Sequence, residues 1–379
     1  MMKTLFVDQS GNLGGAELSL LDVAGAFGPE SSVLLFQDGP FQTRLEAAGI
    51  RVQVLETRSI ESRKSDGFLQ GLKSVIQSFP LIREIANLAE SYDVIYANTQ
   101  KAFIFSAIAG LLSQRPVIYH LRDILSSDHF SQVNIKVAIF MANHLSHLVI
   151  ANSKATAQSF IESGGKPSLV KVIYNGFNPK VYQPNPIDRE RLRREFNLED
   201  KFVVGQFSRL SPWKGQHILL EALAQCPESV VGLFVGDALF GEDEYVQKIK
   251  QQVQNLGLTD RVHFLGFRSD VANLMSACDV VAHTSTSPEP FGRVIIEGML
   301  CEKPVIAAAA GGAAELVSHG KTGWSIAPGD VHELGNAIRY CFENPIHCQQ
   351  VAAHAKQDGY DRFHVDRMTQ EIIAELQRI

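Results

Sequence analysis

Short runs of β-branched and aromatic residues alternate with longer stretches in which apolar residues recur at helical spacing. In the first half of the chain these runs are largely apolar, which predicts strands buried in a parallel sheet. The predicted strands are Thr4–Asp8, Ser32–Phe36, Val52–Leu55, Val94–Ala97, Pro116–His120 and Leu148–Ala151. The intervening predicted helices include Thr43–Ala48, Leu81–Ala89 and Phe103–Leu112. This alternation predicts a doubly wound α/β domain.

The same alternation starts again in the second half and predicts a second α/β domain. Its predicted strands are Phe202–Phe207, Val230–Gly236, Val262–Leu265, Val280–His283 and Pro304–Ala308, with helices such as Gln216–Ala224 and Glu244–Asn255. Between the halves, Tyr174–Asp188 is rich in Asn, Gly and Pro and predicts a linker. The end of the chain, Val365–Arg378, predicts an amphipathic helix that must cover apolar surface.

We therefore expect an α/β fold class with two Rossmann-like doubly wound domains facing across a cleft, where ligands commonly bind. The expected boundaries are residues 1–180 for the first domain and 181–355 for the second. Residues 356–379 are expected to form a C-terminal helix that returns to the first domain. The length of 379 residues supports two domains, because a single core rarely grows beyond about 250 to 300 residues.

Composition narrows the class of protein. The net charge of −6 argues against bulk binding to nucleic acid, so any cationic site must be local. The five cysteines show no C-x-x-C spacing, which fits a reducing cytosol. Asp8 interrupts the apolar start, so no signal peptide is expected, and the apolar stretch Ala102–Gln114 is shorter than the ~20 residues of a spanning helix. These features predict a cytoplasmic protein, at most peripheral to the inner face of a membrane.

Two carboxylates stand close together after the predicted strand Val280–His283. Glu289 precedes a helix predicted to begin near Phe291, and Glu297 lies within it. Carboxylates suit sugar and ribose hydroxyls, and the first backbone N–H groups of a helix can receive an anion. Those N–H groups belong to Phe291, Gly292, Arg293 and Val294. The alternative is that Glu289 is a surface charge in a loop and Glu297 a solvated helix residue.

Two further loops follow the first strand of each domain. Arg209 and Lys214 lie beside a helix start, which favours a diphosphate site that needs no metal, although solvated loop cations are the alternative. Gly14 and Gly15 allow close approach of the backbone to a bound group. Because the loop lacks G-x-G-x-x-G and a P-loop lysine, nicotinamide and nucleoside triphosphate chemistry is not supported. The alternative is a tight turn that uses glycine for positive φ.

Taken together, these elements resemble the GT-B glycosyltransferases, specifically the retaining family 4, over nearly the whole chain. The resemblance rests on Pro288-Glu-Pro-Phe-Gly292 with seven residues between Glu289 and Glu297, and on the loop with Arg209 and Lys214-Gly215. It is extended by Lys303-Pro-Val-Ile-Ala307, Gly311-Gly-Ala-Ala-Glu315 and Gly14-Gly-Ala-Glu17.

The resemblance implies roles for the donor side. Glu297 would bind the ribose hydroxyls, Glu289 the transferred sugar, and Arg209 with Lys214 the diphosphate. The remaining donor-binding residues are Phe291 and Gly292 through backbone amides, with Arg293 and Val294 beside them, Gly14 and Gly15 against the pyrophosphate and sugar, and Gly266, Phe267 and Arg268 near the base. Arg293 stands where many relatives carry a small or apolar residue, so it could contact a donor carboxylate or the acceptor, or pair with a neighbouring acid.

On the acceptor side, His120 matches a family position that faces the donor sugar, and it joins Arg209, Lys214 and Glu289 as a predicted catalytic residue. A structural role is equally open for a lone histidine. Glu17 and Arg122 are predicted to face the acceptor, with a solvated or ion-paired Arg122 as the alternative.

The implied activity is a retaining, metal-independent hexosyltransferase of polysaccharide biosynthesis. The donor would be a UDP-sugar or other NDP-sugar carrying a hexose or N-acetylhexosamine, and the acceptor a glycan or a lipid-linked glycan. The acceptor would attack on the face from which the nucleotide departs. No cofactor, metal or nucleic-acid partner is expected, and the chain contains no Asp-x-Asp.

Three alternatives stay open: a nucleotide-sugar epimerase of the same architecture, an inactive nucleotide-sugar binding protein, and, disfavoured by the missing signal peptide, a two-lobe periplasmic binding protein. Acceptor loops are predicted at Ser59–Lys73 and Ser126–Lys136. The basic residues Arg58, Arg63, Lys64 and Lys73 could meet anionic lipid headgroups, or the loop could be solvated.

Overall fold

A computed structural model of the protein describes residues 2–55, 78–126, 130–238 and 241–379. The chain divides into two compact units, Met1–Gly176 with Val365–Ile379, and Phe177–His364. The predicted acceptor loop Ser59–Lys73, the four basic residues Arg58, Arg63, Lys64 and Lys73, and positions 127–129 of the second predicted loop lie outside the described residues.

The first unit is built on a parallel sheet of seven strands in the order β3-β2-β1-β4-β5-β6-β7. Its strands are β1 (Thr4–Asp8), β2 (Ser32–Leu35), β3 (Arg51–Val54), β4 (Val94–Ala97), β5 (Val117–Leu121), β6 (Leu148–Ala151) and β7 (Val170–Val172). Its described helices are α1 (Gly15–Ala24), α2 (Pro40–Ala47), α3 (Phe79–Ala89), α4 (Gln100–Ser113), α5 (Gln132–Leu145) and α6 (Lys154–Glu162). The C-terminal helix α14 (Val365–Leu376) also belongs to this unit.

Alternate residues of each central strand enter opposite layers of core, as the period of two dictates. In β1, Leu5 and Val7 pack with α3 to α6, whereas Phe6 packs with α1, α2 and α14. The apolar side of α14, which includes Met368 and Ile372, is buried in that second layer. Helices therefore cover both faces of the sheet, which is why its central strands are largely apolar, whereas the edge strands β3 and β7 contain exposed polar residues.

The second unit repeats the plan with six parallel strands in the order β10-β9-β8-β11-β12-β13. These strands are β8 (Phe202–Phe207), β9 (Val230–Val235), β10 (Val262–Phe264), β11 (Val280–His283), β12 (Val305–Ala308) and β13 (Trp324–Ile326). Its helices are α7 (Pro186–Glu195), α8 (Gln216–Ala224), α9 (Asp243–Asn255), α10 (Val271–Ala277), α11 (Arg293–Leu300), α12 (Val331–Glu343) and α13 (Pro345–Phe363). None of the helices in the described parts of the chain combines the length and apolar character needed to cross a bilayer.

The unit boundaries differ from the expected ones. Residues 177–180 and 356–364 lie in the second unit, not in the first domain and the C-terminal segment. The reason is that α13 continues without a break to Phe363, whose carbonyl accepts the N–H of Phe177 at 2.8 Å. The chain leaves the second unit only at His364, which has extended backbone.

In both sheets the strand order reverses beside the first strand, between β1 and β4 and between β8 and β11. Chains leaving two neighbouring strands there turn in opposite directions, which opens a crevice at the carboxyl edge of the sheet. The predicted site residues should therefore gather at the carboxyl ends of these four strands and of their neighbours.

Candidate functional site

In the second unit, a tight turn brings Lys214 beside the carboxyl end of β11. Pro212–Lys214 forms a single 3-10 turn after β8, and Gly215 follows it with φ +69° and opens α8. A Cβ on Gly215 would lie 2.0 Å from the carbonyl oxygen of Thr284, so only glycine fits. The Thr284 hydroxyl in turn donates to the carbonyl oxygens of Lys214 and Gly215, at 3.0 and 3.1 Å. The backbone of this turn is thus fixed to the segment that follows β11.

Lys214 forms a buried ion pair with Glu289. Its Nζ lies 2.9 Å from Oε1 and 2.7 Å from Oε2 of the carboxylate. The two side chains are only 17% and 11% exposed, so water screens the pair weakly. Nζ also lies 3.9 Å above the ring of Trp213. The interpretation of Glu289 as a surface charge is therefore wrong.

Two more side chains hold the Glu289 carboxylate. Ser285 donates its hydroxyl to Oε2 at 2.9 Å, and His283 Nε2 lies 3.4 Å from the same oxygen. Burial raises the pKa of Glu289, but the Lys214 ammonium and the hydrogen bond and charge of His283 outweigh it and hold that pKa well below its usual range. Glu289 is consequently a fixed anion.

Glu297 forms a second buried carboxylate site on α11. Its Oε1 accepts the Tyr182 hydroxyl at 3.2 Å and lies 3.3 Å from Nε of Arg293, whose guanidinium stacks on Phe177. The carboxylate is 10% exposed, so the solvated interpretation of Glu297 is wrong as well. Arg293 pairs with a neighbouring acid, one of its three predicted roles.

The helix that carries Glu297 begins later than predicted. α11 starts at Arg293, because Gly292 has φ +98° and sits outside the helix as its N-cap. Phe291 is buried against Phe177 and Phe363 instead of forming the first helical turn. The first helical N–H groups thus belong to Arg293 and Val294.

The other predicted cation of this loop, Arg209, lies 3.4 Å from Glu242 and is 29% exposed. Glu242 also accepts the hydroxyl of Ser211. Both predicted diphosphate cations thus have a carboxylate neighbour of their own, Arg209 with Glu242 and Lys214 with Glu289.

The residues predicted near the base occupy the next strand ends. The carbonyl of Gly266 accepts the N–H of Gly236 at 2.9 Å, and a Cβ on Gly236 would lie 3.4 Å from the backbone N of Arg209. Phe267 is 65% exposed, and Arg268 forms a bidentate pair with Asp270 at 2.8 and 2.7 Å. The structure therefore places Gly266 on the same edge as Arg209, whereas the side chains of Phe267 and Arg268 are outside the Lys214–Glu289 cluster.

In the first unit, a chain of buried polar side chains crosses the carboxyl ends of β1, β4 and β5. Asn98 donates to Asp8 at 2.5 Å and accepts from Arg122 Nε at 2.6 Å. Arg122 also donates to Asn175 at 2.9 Å and lies 3.2 Å from His120 Nδ1. Arg122 is only 6% exposed, so its solvated interpretation is wrong. Burial raises the pKa of Asp8, against the lowering by its hydrogen bonds and Arg122.

His120 is fully buried within this network. Its Nδ1 bonds to the Tyr96 hydroxyl, and its Nε2 has no hydrogen-bond partner among the described residues. Burial, and then the positive charge of Arg122, hold its pKa well below the ordinary value, so the ring is neutral near pH 7.

Glu17 lies over the glycine loop at the start of α1. Burial, and then the negative charge of Asp8, raise its pKa to about 7. A Cβ on Gly14 would lie 2.7 Å from Glu17 Oε2. Gly14 has φ −140° and Gly15 is the first residue of α1, so the interpretation of a turn that needs positive φ is wrong. Close approach of the backbone at Gly14 and Gly15 to a bound group stays a prediction.

Several residues of both clusters were missed from the sequence: Asp8, Asn98, Asn175, Tyr96, Tyr182, His283 and Ser285. A usable signal existed for some of them. Asp8 and His283 are the last residues of apolar strands, and Asn98 directly follows one. Polar residues at the carboxyl ends of the strands beside a switch point are therefore candidates that the sequence pattern alone can identify.

All five cysteines are free and buried. Within residues 2–55, 78–126, 130–238 and 241–379, no three His, Cys, Asp or Glu side chains group closely enough to hold a metal ion. Metal independence stays a prediction.

Comparisons with known proteins match both halves of the chain. The sequence profile described as glycosyl transferases group 1 matches residues 188–358, and that of glycosyltransferase family 4 matches residues 41–181. The chain is similar to HepE of Anabaena, crystallised with UDP and glucose, with a TM-score of 0.93 and 50% identity over 100% of both chains. HepE has also been crystallised with UDP-glucose, at the same identity and coverage, with a TM-score of 0.93.

Curated relatives match over shorter stretches. Spore coat protein SA of Bacillus subtilis is 34% identical over 185 residues, which are 46% of this chain and 48% of that protein. The N-acetyl-alpha-D-glucosaminyl L-malate synthase of Bacillus anthracis is 27% identical over 204 residues, 53% of this chain and 52% of that one. The chain thus spans about half the length of these two relatives.

Proposed function

We propose, from the family to which the chain belongs, that it transfers a sugar from a UDP-sugar to a glycan or lipid-linked acceptor. That family is the group 1, family 4 glycosyltransferases, which have the GT-B architecture of two Rossmann-like units. The proposed reaction retains the configuration of the sugar, needs no metal or other cofactor, and serves polysaccharide biosynthesis. The proposed setting is the cytoplasm, with peripheral contact to a membrane where the acceptor is lipid-linked.

The observation that carries the proposal is the buried Lys214–Glu289 pair at the carboxyl edge between β8 and β11. A permanently ionised carboxylate can accept hydrogen bonds from sugar hydroxyls, and the adjacent ammonium can bind a phosphate oxygen. Glu297, which lies one turn after the start of α11, supplies a second carboxylate suited to ribose hydroxyls. The switch point of a doubly wound sheet is where nucleotides bind.

The choice of a UDP-sugar is supported by similarity. HepE, crystallised with UDP and glucose and with UDP-glucose, shares 50% of its residues with this chain over its full length. A hexose or N-acetylhexosamine is the proposed transferred group. The acceptor is proposed by class alone, since the predicted acceptor loop 59–73 lies outside the described residues.

In the proposed step, the bond between the anomeric carbon and the β-phosphate oxygen breaks, and the acceptor oxygen bonds to that carbon on the same face. The acceptor proton leaves with the diphosphate. Negative charge grows on the β-phosphate, and Lys214, Arg209 and the first N–H groups of α11 are the groups suited to stabilise it. Because the buried Glu289 holds Lys214 in place, the ammonium is already positioned beside the site where this charge develops.

A donor panel tests the proposal. The protein is incubated with UDP-glucose, UDP-galactose, their N-acetyl counterparts and a GDP-sugar, with glycan and alkyl-phosphate glycoside acceptors and a chelator present. We expect UDP release with formation of an α-glycoside, identified by its anomeric NMR coupling, at a rate that chelation leaves unchanged. A rearranged free sugar would support the epimerase, and donor binding without turnover would support an inactive binding protein. Loss of activity on chelation would refute metal independence.

A further inference from the structure

The two oxygens of Glu289 have unequal surroundings. Oε2 is contacted by Lys214 Nζ at 2.7 Å, Ser285 Oγ at 2.9 Å and His283 Nε2 at 3.4 Å. Oε1 is contacted by Lys214 Nζ at 2.9 Å and by no other polar group among the described residues. A carboxylate oxygen accepts about two hydrogen bonds, so Oε2 is fully occupied whereas Oε1 keeps acceptor capacity.

The groups on Oε2 are rigidly placed. His283 is the last residue of the central strand β11, and Ser285 follows two residues later; they are 5% and 2% exposed. Ser285 Oγ also lies 3.2 Å from His283 Nε2, so the two side chains and Oε2 form a closed triangle. Thr284 between them bonds to the backbone of the Lys214 turn. One three-residue segment thus fixes both members of the Lys214–Glu289 pair.

From this asymmetry we propose that His283 and Ser285 are positioning residues, which clamp Oε2 of Glu289 so that Oε1 is presented to a hydroxyl of the transferred sugar. The inference rests on the proposed transferase function and deepens it. The direction in which Oε1 faces then determines which sugar hydroxyls the carboxylate accepts, so the clamp acts on discrimination between donors that differ in one hydroxyl. Neither side chain touches the sugar.

The test compares Ser285→Ala and His283→Leu with the wild type. The rate of transfer from UDP-glucose and from its C4 epimer UDP-galactose is measured, together with the affinity for UDP, which lacks the transferred sugar. We expect the ratio of the transfer rates from the two epimers to move about tenfold closer to one. We also expect kcat to fall about 10- to 100-fold, the range of one or two charge-assisted hydrogen bonds. UDP affinity should stay within about twofold, and His283→Gln, which keeps an N–H donor, should recover most of the loss.

Ser276→Ala is the matched control, because Ser276 is a buried serine of the same unit whose hydroxyl donates to the Ala272 carbonyl at 3.1 Å. It should leave the preference between epimers unchanged. A double-mutant cycle with Glu289→Gln gives the second measurement. If Ser285 acts through Glu289, Ser285→Ala should add less than about twofold in that background.

The outcomes distinguish a failure of the proposed transferase function from a failure of the proposed clamp. If the wild type transfers no sugar from any donor, the proposed function fails. If it does transfer but the variants keep the wild-type preference, or if their losses multiply with that of Glu289→Gln, the clamp is refuted. An equal loss of UDP affinity and turnover also refutes it, because the segment would then serve the nucleotide instead of the sugar.

Discussion

Replacing Lys214 with methionine removes the cation from a buried pair and leaves a carboxylate without its main partner. Two unit charges about 3 Å apart attract by roughly 5 kcal/mol at an effective dielectric constant of about 20. Loss of one partner of a buried pair typically costs about 3 to 5 kcal/mol. Because Ser285 and His283 still hold Glu289 Oε2, we expect the lower end, about 3 kcal/mol in the free energy of unfolding at pH 7.

The loss should shrink as the pH falls. In the wild type the pKa of Glu289 is depressed, so its stabilising contribution is present above the unfolded value, near 4.5, and is lost as the pH falls through the folded value. In Lys214→Met the largest cause that lowers this pKa is gone, so burial raises the pKa against His283 alone. The variant is then destabilised most at high pH and regains stability as the pH falls toward 4.5. Between pH 7 and pH 5 the wild-type contribution is essentially constant, so the raised pKa of the variant alone makes its loss of stability relative to the wild type smaller at pH 5 than at pH 7.

Urea unfolding followed by tryptophan fluorescence measures this difference. The chain has two tryptophans, Trp213 and Trp324, and both lie in the second unit, so the signal reports on the unit that contains the pair. Lys356→Met is the control, because its pair with Glu302 is 42% and 43% exposed and should contribute at most about 1 kcal/mol. Equal losses of stability in the two variants, or a loss in Lys214→Met that is the same at pH 5 and pH 7, would contradict this expectation.

Three further changes are expected to have distinct effects. Glu297→Gln should weaken UDP binding about tenfold in calorimetry, since it removes a carboxylate suited to ribose hydroxyls, while Arg293 stays in place. In the wild type, burial and then Asp8 raise the pKa of Glu17 to about 7, so stability present below 4.5 is lost as the pH rises through 7. Glu17→Gln should therefore reduce the dependence of the first unit's stability on pH between 5 and 8 by up to about 3 kcal/mol, measured by circular-dichroism melts. Gly215→Ala should cost about 2 kcal/mol or more, because it adds a clash to a left-handed backbone.

For each of these three changes, a control variant or a specific result would contradict the expectation. Gly257→Ala has a similar φ of +66° but nothing within 4 Å of the added carbon, so it should cost only about 1 kcal/mol; equal costs would exclude the clash as the cause. Unchanged UDP affinity in Glu297→Gln would make that carboxylate structural. A pH profile in Glu17→Gln as steep as that of the wild type would assign the titration to another group.

The sequence predicts the strands and helices that have a strong apolar pattern and misses the ones that do not. Most predicted strands agree with the structure to within one residue, because central strands of a parallel sheet are apolar throughout. The edge strands β7 and β13 were missed, since each has three residues and a polar residue, Lys171 or Ser325, stands at its centre. The start of α11 was placed too early because the left-handed backbone of Gly292 is a tertiary feature that composition does not reveal.

The surroundings of the two carboxylates could not be predicted from their local sequence. Glu289 is held by Lys214, which is 75 positions away along the chain, and Glu297 by Tyr182, 115 positions away. A carboxylate is stable in the interior only with such partners, so its burial depends on contacts that only the folded chain forms. The resemblance to a family supplied the candidate roles, whereas the geometry supplied the partners.

Those partners also bear on how a donor could bind in the proposed function. The cations proposed to meet the diphosphate are already next to carboxylates, Lys214 beside Glu289 and Arg209 beside Glu242, so the cluster is close to neutral without a ligand. The carboxylates keep the cations from being buried unpaired, which would cost stability. In the proposed complex, a diphosphate must therefore compete with the carboxylates for the cations. Neutral donors such as the first N–H groups of α11 would have to stabilise its additional negative charge. In the proposed reaction, the same competition would weaken binding of the nucleotide product and so favour its release after transfer.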